Sequence, residues 1–300
     1  MTGLDSVLAA TVRTTTPLLI AALGELVTER AGVINIGLEG AIIGGAFAAA
    51  ALAPVVGITG GFAAGAGAGL LLGAVMAVFV VVLRADQIIS GTAVALLGLG
   101  LTAALYHAIY GAAGIALTVP TSSVFRLPGL ANLPVVGGAL FDQPPVTYVA
   151  YLLIPLVWWY LYRTHGGLAL RSIGEAPDAA RSAGVAVRRV RAGAILVGSA
   201  LGGLAGAVLV LAQAGTFAEG MSAGRGFIAI AIVALGRWQP VGVAGAAGIF
   251  GLATAMQYVV QALGWPIRYE LILPLPYVLT LVALVIAPRG SAPAMLARPD

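Results

Sequence analysis

The 300-residue chain has no cysteine and no lysine, and only 9% of its residues are charged. Without cysteine it forms no disulfide, no thiolate metal site and no lipidated N-terminal cysteine. Without lysine it lacks the Gly-x-x-x-x-Gly-Lys-Ser/Thr phosphate loop, so any nucleotide energy it uses is supplied by another chain. All 15 basic residues are arginine against 11 acidic ones, and the net charge of +4 is too small to point to a nucleic-acid partner. The two histidines, His107 and His165, form no metal spacing with glutamate, and no serine signature lies near His165. Neither catalysis nor a bound cofactor is expected.

What remains is oil. Hydrophobic residues make up 60% of the chain and the mean hydropathy is +1.05, a composition that cannot build a water-solvated surface. One crossing of a bilayer takes about 20 apolar residues, so there is material for about eight to ten. The apolar runs are continuous rather than alternating, which selects helices over a transmembrane barrel. The expected architecture is an all-α polytopic membrane protein, one transmembrane domain over 1–300. Helices are predicted at 8–27, 33–54, 58–83, 88–110, 146–162, 192–213, 227–236, 241–263 and 271–287. Asp5 precedes the first basic residue, Arg13, so no secretory signal is expected to be cleaved.

Two long interruptions differ sharply in charge. Arg163, Arg171, Arg181, Arg188, Arg189 and Arg191 put six of the 15 arginines into residues 163–191, whereas 111–145 holds only Arg126. Positive charge accumulates on the cytoplasmic side, which makes 163–191 a cytoplasmic loop and 111–145 an extracytoplasmic one. Arg84, Arg289 and Arg298 then also fall inside. Three full crossings before Arg84 would start the chain outside. An inside start needs one broken segment, and the sequence favours that arrangement, at 25–40, where Glu25, Glu29, Arg30, Asn35 and Glu39 interrupt apolar sequence. The 227–236 run is also short for a span.

Glycine is 42 of 300 residues, about twice the usual share. Ladders run from Gly57 to Gly73, through Gly193, Gly198, Gly202, Gly203 and Gly206, and through Gly242, Gly245, Gly248 and Gly251. In lipid, such ladders let helix backbones approach closely, and tight packing is the expected role, with a sliding interface as the alternative.

In the arginine-rich loop, Pro177 suits a helix start, Asp178 its positive end, and Gly184 its termination. The residues alone fit either a short docking helix lying parallel to the membrane or a solvated loop whose arginines only set topology. Among polar residues at membrane depth, Asn35 and Glu39 suit either a network that satisfies a helix break or a lining of a path. Gln87 and Ser90 suit capping of the helix near 88, and His107 with Tyr106 and Tyr110 suits an interfacial anchor. Gln257, Tyr258 and Gln261 share one helix face, fit either for a nucleobase or ribose or for interhelical bonding; Gln213 and Glu219 are further candidates.

The segment Asp178-Ala179-Ala180-x-x-x-Gly184 resembles the coupling motif of ABC importer permeases, with Asp in place of the usual Glu. Residues 24–40, Gly-Glu-Leu-Val-Thr-Glu-Arg-Ala-Gly-Val-Ile-Asn-Ile-Gly-Leu-Glu-Gly, and Gly224-Arg225-Gly226-Phe227 followed by Leu235-Gly236-Arg237-Trp238-Gln239-Pro240, resemble permeases of nucleoside and simple-sugar uptake, related to ribose and branched-chain amino-acid permeases. The resemblance implies a non-enzymatic subunit of an importer in the inner (cytoplasmic) membrane. Its implied partners are a cytoplasmic ABC ATPase, a second permease that is usually a paralogue, and an extracytoplasmic substrate-binding lipoprotein. It places ATPase coupling on Arg171, Glu175, Pro177, Asp178, Ala179, Ala180 and Gly184. Asn35, Glu39, Gln213, Gln257, Tyr258 and Gln261 are the candidates for the pathway. The rival reading is a secondary transporter driven by an ion gradient, with Glu39 or Glu219 binding the ion.

Overall fold

The computed structural model describes residues 3–111, 118–133, 136–262, 274–286 and 292–296. Its long helices are α1 (Gly3–Arg30), α2 (Leu38–Ala77, continued as a π-turn over Val78–Val82) and α3 (Gln87–Tyr110). Beyond a segment holding the small pair β1 (Phe125–Arg126) and β2 (Asp142–Gln143) around the one-turn α4 (Gly137–Phe141) comes α5 (Pro145–Arg163). Two short helices follow, α6 (His165–Glu175) and α7 (Pro177–Ser182). The chain ends in α8 (Val187–Val208, continued as a π-turn to Ala214), α9 (Arg225–Leu235), α10 (Pro240–Ala262) and α11 (Leu275–Ile286). Among the described residues six helices are long and apolar enough to cross a membrane.

One of the six doubles back. At Gly57 the backbone takes φ +78°, which an L side chain resists. Beyond it the helix folds against its own first limb: a Cβ at Gly61 would lie 2.8 Å from that of Ala53, and one at Gly65 3.0 Å from the Gly45 carbonyl. The predicted helices at 33–54 and 58–83 are thus two limbs of a hairpin. α8 packs into this hairpin backbone to backbone. A Cβ at Gly203 would stand 2.2 Å from the Gly65 carbonyl, and one at Gly206 1.9 Å from that of Ile42. Two of the glycine ladders therefore face each other in close packing, where dispersion contacts supply the attraction that lipid cannot.

The direction of α1 corrects the expected course of the first third. Thr28 Oγ1 donates to the Ala194 carbonyl at 3.3 Å, and Gln213 Nε2 donates to the Arg13 carbonyl at 2.5 Å, so α1 runs antiparallel to α8. Arg13 therefore lies at the end opposite Arg188, Arg189 and Arg191. Residues 118–122 share Arg13's end, through Val119 N–H to Gly215 O (2.9 Å) and Ser122 N–H to Leu211 O (2.7 Å). The interruption falls within the predicted 25–40, over residues 31–37, but it does not shorten α1, which continues for 28 residues to Arg30. Three limbs precede Arg84, and the start of α1 is on the far side from the arginine-rich end.

The Gln213 contact has a covalent cause. Pro17 has no N–H to offer the carbonyl four residues before it, and the Gln213 amide takes that place at Arg13. Capping of α3 also differs from expectation: the Asp86 carboxylate accepts from Ile88 N (2.8 Å) and Ile89 N (2.9 Å), and Gln87 reaches elsewhere.

Candidate functional site: a helix break joined to a cationic elbow

Residues 31–37 leave helical geometry while mostly buried in the protein, where a freed backbone group needs a partner. Side chains supply partners for two amides of this break and bind it to α8. Glu25 Oε1 accepts from Asn35 N–H at 2.9 Å, Gln87 Oε1 accepts from Ile34 N–H at 3.1 Å, and Asn35 Nδ2 donates to Ser199 Oγ of α8 at 2.9 Å. Glu25, Thr28 and Asn35 are fully buried, and Glu29 nearly so. Asn35 and Glu39 are thus held within this one chain.

Glu39 opens α2 and faces a second break. After the π-turn of α8, residues 215–224 make turns with positive φ at Gly215, Gly220, Ala223 and Gly224, and only then does α9 begin. Glu39 accepts from the first amides there: Oε1 from Gly224 N–H at 2.9 Å and Oε2 from Gly226 N–H at 2.7 Å. The carboxylate sits where the helix dipole is positive and the amides lack intrahelical partners. Gly226 must be glycine, because a Cβ there would meet Glu39 backbone at 2.6 Å. At the other end of α9 the Trp238 indole N–H donates to Glu29 Oε2, and the Trp238 carbonyl accepts from Arg30 Nε (2.9 Å) and Nη2 (2.6 Å). Leu38 packs on Gly202, midway along α8. α9 accordingly runs from mid-height to the arginine-rich end, which is why its apolar run is short.

The elbow is built from α6 and α7. Thr164 Oγ1 caps α6 by accepting from Gly167 N–H at 3.0 Å. Pro177 opens α7, and Gly184 at φ +83° ends the turn after it, with Val185 N–H bonded to Ala180 O at 3.0 Å. Pro177 and Ala180 are buried and hold the helix down; Asp178, Ala179, Ser182, Ala183 and Gly184 are exposed. Asp178 Oδ1 pairs with Arg181 Nη1 at 2.7 Å, both largely solvent-exposed. Arg171 stacks 4.9 Å over the Tyr162 ring, and Glu175 Oε2 accepts from Ala294 N–H at 3.3 Å. Beside α7 lies a groove of about 880 Å³ whose cations are Arg84, Arg181, Arg188, Arg189 and Arg191.

Elbow and break touch directly. A Cβ at Gly174 of α6 would lie 2.3 Å from the Arg30 carbonyl, Gly32 faces Gly174 Cα, and Arg191 Nε donates to Ala31 O at 3.3 Å. Sequence reasoning singled out both segments without joining them, and it missed α6 as a helix. The 3- and 4-residue spacing of Gly167, Leu170, Ile173 and Gly174 was the available signal.

The remaining candidates lie toward the opposite end. Gln257 is half-buried and Tyr258 exposed on α10, beyond the point where Thr14 Oγ1 bonds Gly251 O at 2.7 Å. The side chain of Gln261 is outside the described residues, as are Arg289, Arg298 and parts of 111–145. His107 Nε2 pairs with Glu219 Oε1 at 2.9 Å, and Tyr106 stacks with Tyr110 and Phe217. With Glu39 committed to backbone amides and Glu219 to His107, neither carboxylate is disposed as an ion site of a gradient-driven transporter. Among the described residues no cluster of His, Asp or Glu could hold a metal.

Comparison with known proteins fits this architecture. The guanosine ABC transporter permease protein NupQ of Bacillus subtilis is 35% identical over 97% of this chain and 94% of its own length. TsgC13 of Haloferax volcanii, provisionally named a glucose ABC transporter permease protein, is 39% identical over 85% and 78%. The nucleoside ABC transporter permease protein NupC of Lactococcus lactis is 34% identical over 81% and 79%. The family described as branched-chain amino acid transport system / permease component matches residues 7–287. With its spans, broken helices and exposed elbow, the chain belongs to that family: it is a multi-pass ABC transporter permease subunit, a transport component and not an enzyme.

Proposed function

We propose that this permease carries nucleosides or simple sugars inward across the cytoplasmic membrane, driven by ATP hydrolysis on a separate subunit. The observation that carries the reading is the elbow: a short helix with an exposed Asp178-to-Gly184 face at the arginine-rich end, packed through Gly174 and bonded through Arg191 against a buried helix break. Positive charge assigns that end to the cytoplasm and the 111–145 end to the exterior. An ATPase seated on 171–191 would move the elbow and, with it, the helices that line the path. A substrate-binding lipoprotein meets the outer end, toward which Gln257 and Tyr258 lie on α10. The second permease is a paralogue: NupP, another guanosine ABC transporter permease protein of Bacillus subtilis, is 36% identical over 34% of this chain, so one organism carries two such relatives.

The test is uptake in proteoliposomes holding this permease, its paralogue, the ATPase and the binding protein. Labelled guanosine, other nucleosides and glucose are offered with and without internal-face ATP. Accumulation that requires ATP and hydrolysis is expected; gradient-driven uptake by this chain alone would sink the reading.

A further inference from the structure

α9 is only 11 residues long, about 16 Å or half a bilayer core. It is held at both ends by one stretch of chain. Glu39 takes the amides of Gly224 and Gly226 at its start, and Glu29 and Arg30 take the indole and carbonyl of Trp238 just past its end. Arg237 and Trp238 both have positive φ, at +55° and +53°, so the exit from α9 is a backbone reversal rather than a continuing helix. The stretch that holds it, 29–39, is also the stretch the elbow touches, through Gly174 against Arg30 and Gly32 and Arg191 to Ala31. Two segments that nothing in the linear sequence connects are therefore fixed to the same short piece of backbone.

Resting on the importer reading above, we infer that residues 29–39 form a rigid bracket carrying elbow displacement to α9, and that Glu39 is the positioning residue that makes α9 follow. The grip depends on its charge and its two oxygens. A carboxylate accepts both amides at once, whereas an amide side chain of the same shape accepts one and opposes the other with its own N–H. Glu39 is almost fully buried, so it reaches neither solvent nor substrate and acts only through α9. Phe227, in the first turn of α9, is half-exposed and reports where that helix is.

The experiment uses the complete reconstituted transporter. In Glu39→Gln the maximal uptake rate should fall by about tenfold or more, the scale of one charge-assisted hydrogen bond. Half-saturation by loaded binding protein should stay within about twofold and ATP hydrolysis should persist, because binding and the motor are untouched. Glu39→Asp should recover part of the rate. In the naturally cysteine-free chain, a spin label on Phe227→Cys should change mobility between nucleotide-free and nucleotide-trapped states, and should not do so when Glu39→Gln is added. Unimpaired transport by Glu39→Gln, or a label that ignores nucleotide, overturns the inference. If Glu39→Gln does not insert, the label on the chain with Glu39 intact decides alone. Absence of ATP-driven uptake by the unmodified complex would instead remove the importer reading.

Discussion

A hydrogen atom in place of a side chain decides much of this structure. Gly67 and Gly69 lie two residues apart on the same limb of α2, yet a Cβ at Gly67 meets open space and one at Gly69 falls 2.2 Å from the Ser199 carbonyl and 2.7 Å from Gly203 N. The backbone cannot yield as a flexible side chain would, so Gly69→Ala should cost about 1–3 kcal/mol through overpacking. Gly67→Ala should be neutral or stabilising by up to about 1 kcal/mol, since alanine is the better helix former. Thermal unfolding of the detergent-solubilised chain checks both; equal melting temperatures for the two variants would mean that α2 and α8 are not in backbone contact. Polar residues at depth are governed by the same requirement for a partner. Gln213 sits on the carbonyl that Pro17 leaves open, and Gln87 and Glu25 sit on amides of the break. Each of these was visible in the sequence as a polar residue in apolar surroundings. Its partner was not, because the partner is a backbone group as much as 200 residues away.

At the scale of elements, the apolar runs located nearly every helix, including both limbs of the Gly57 hairpin and the shortness of α9. Hydropathy is blind to pairing, however, and nothing local in 24–40 and 224–240 says that each braces the other. It is equally blind to α6, whose apolar stripe is diluted by arginine and serine. The α7 half of the elbow was legible, since a proline start and a left-handed glycine finish are written in single residues. That legibility supports a separable prediction for α7. Gly184 is exposed at φ +83° with open space around its missing Cβ, so Gly184→Phe carries a backbone penalty of about 1–2 kcal/mol but no internal clash. The variant should insert at normal levels while ATP-driven uptake falls by about tenfold or more, the mark of an interaction lost only in coupling. Uptake indistinguishable from the unmodified transporter would place ATPase docking elsewhere.

For the molecule as a whole, the charge bias and the packing agree on two unlike ends. One carries Arg84, Arg181, Arg188, Arg189 and Arg191; the other gathers residue 13, residues 118–122 and the His107–Glu219 pair. The sequence leans toward a start on the arginine-rich side, while leaving the orientation of residue 1 open, because a run of acidic and polar residues at 25–40 looks like a failed span. In the structure Glu25, Glu29, Arg30, Asn35 and Glu39 are each bonded to another part of the chain, and α1 runs unbroken to Arg30. Single cysteines at Arg13, Val136 and Ala183 in intact cells make the arrangement measurable. A membrane-impermeant thiol reagent should label Arg13→Cys and Val136→Cys and spare Ala183→Cys. Labelling of Ala183→Cys together with Arg13→Cys would contradict the antiparallel course of α1 and α8.

The reversal at Gly57 bears on how the protein is made. Its two limbs meet at a single residue, with no hydrophilic tether that could wait at the bilayer surface while one limb entered ahead of the other. Biosynthetic insertion must then accept about 45 residues as one preformed pair, and the narrow slot it leaves stays vacant until the ribosome has delivered α8, some hundred residues later. Until that moment the glycine faces of the hairpin are bare, and the nascent chain depends on lipid or on the insertion machinery to shield them.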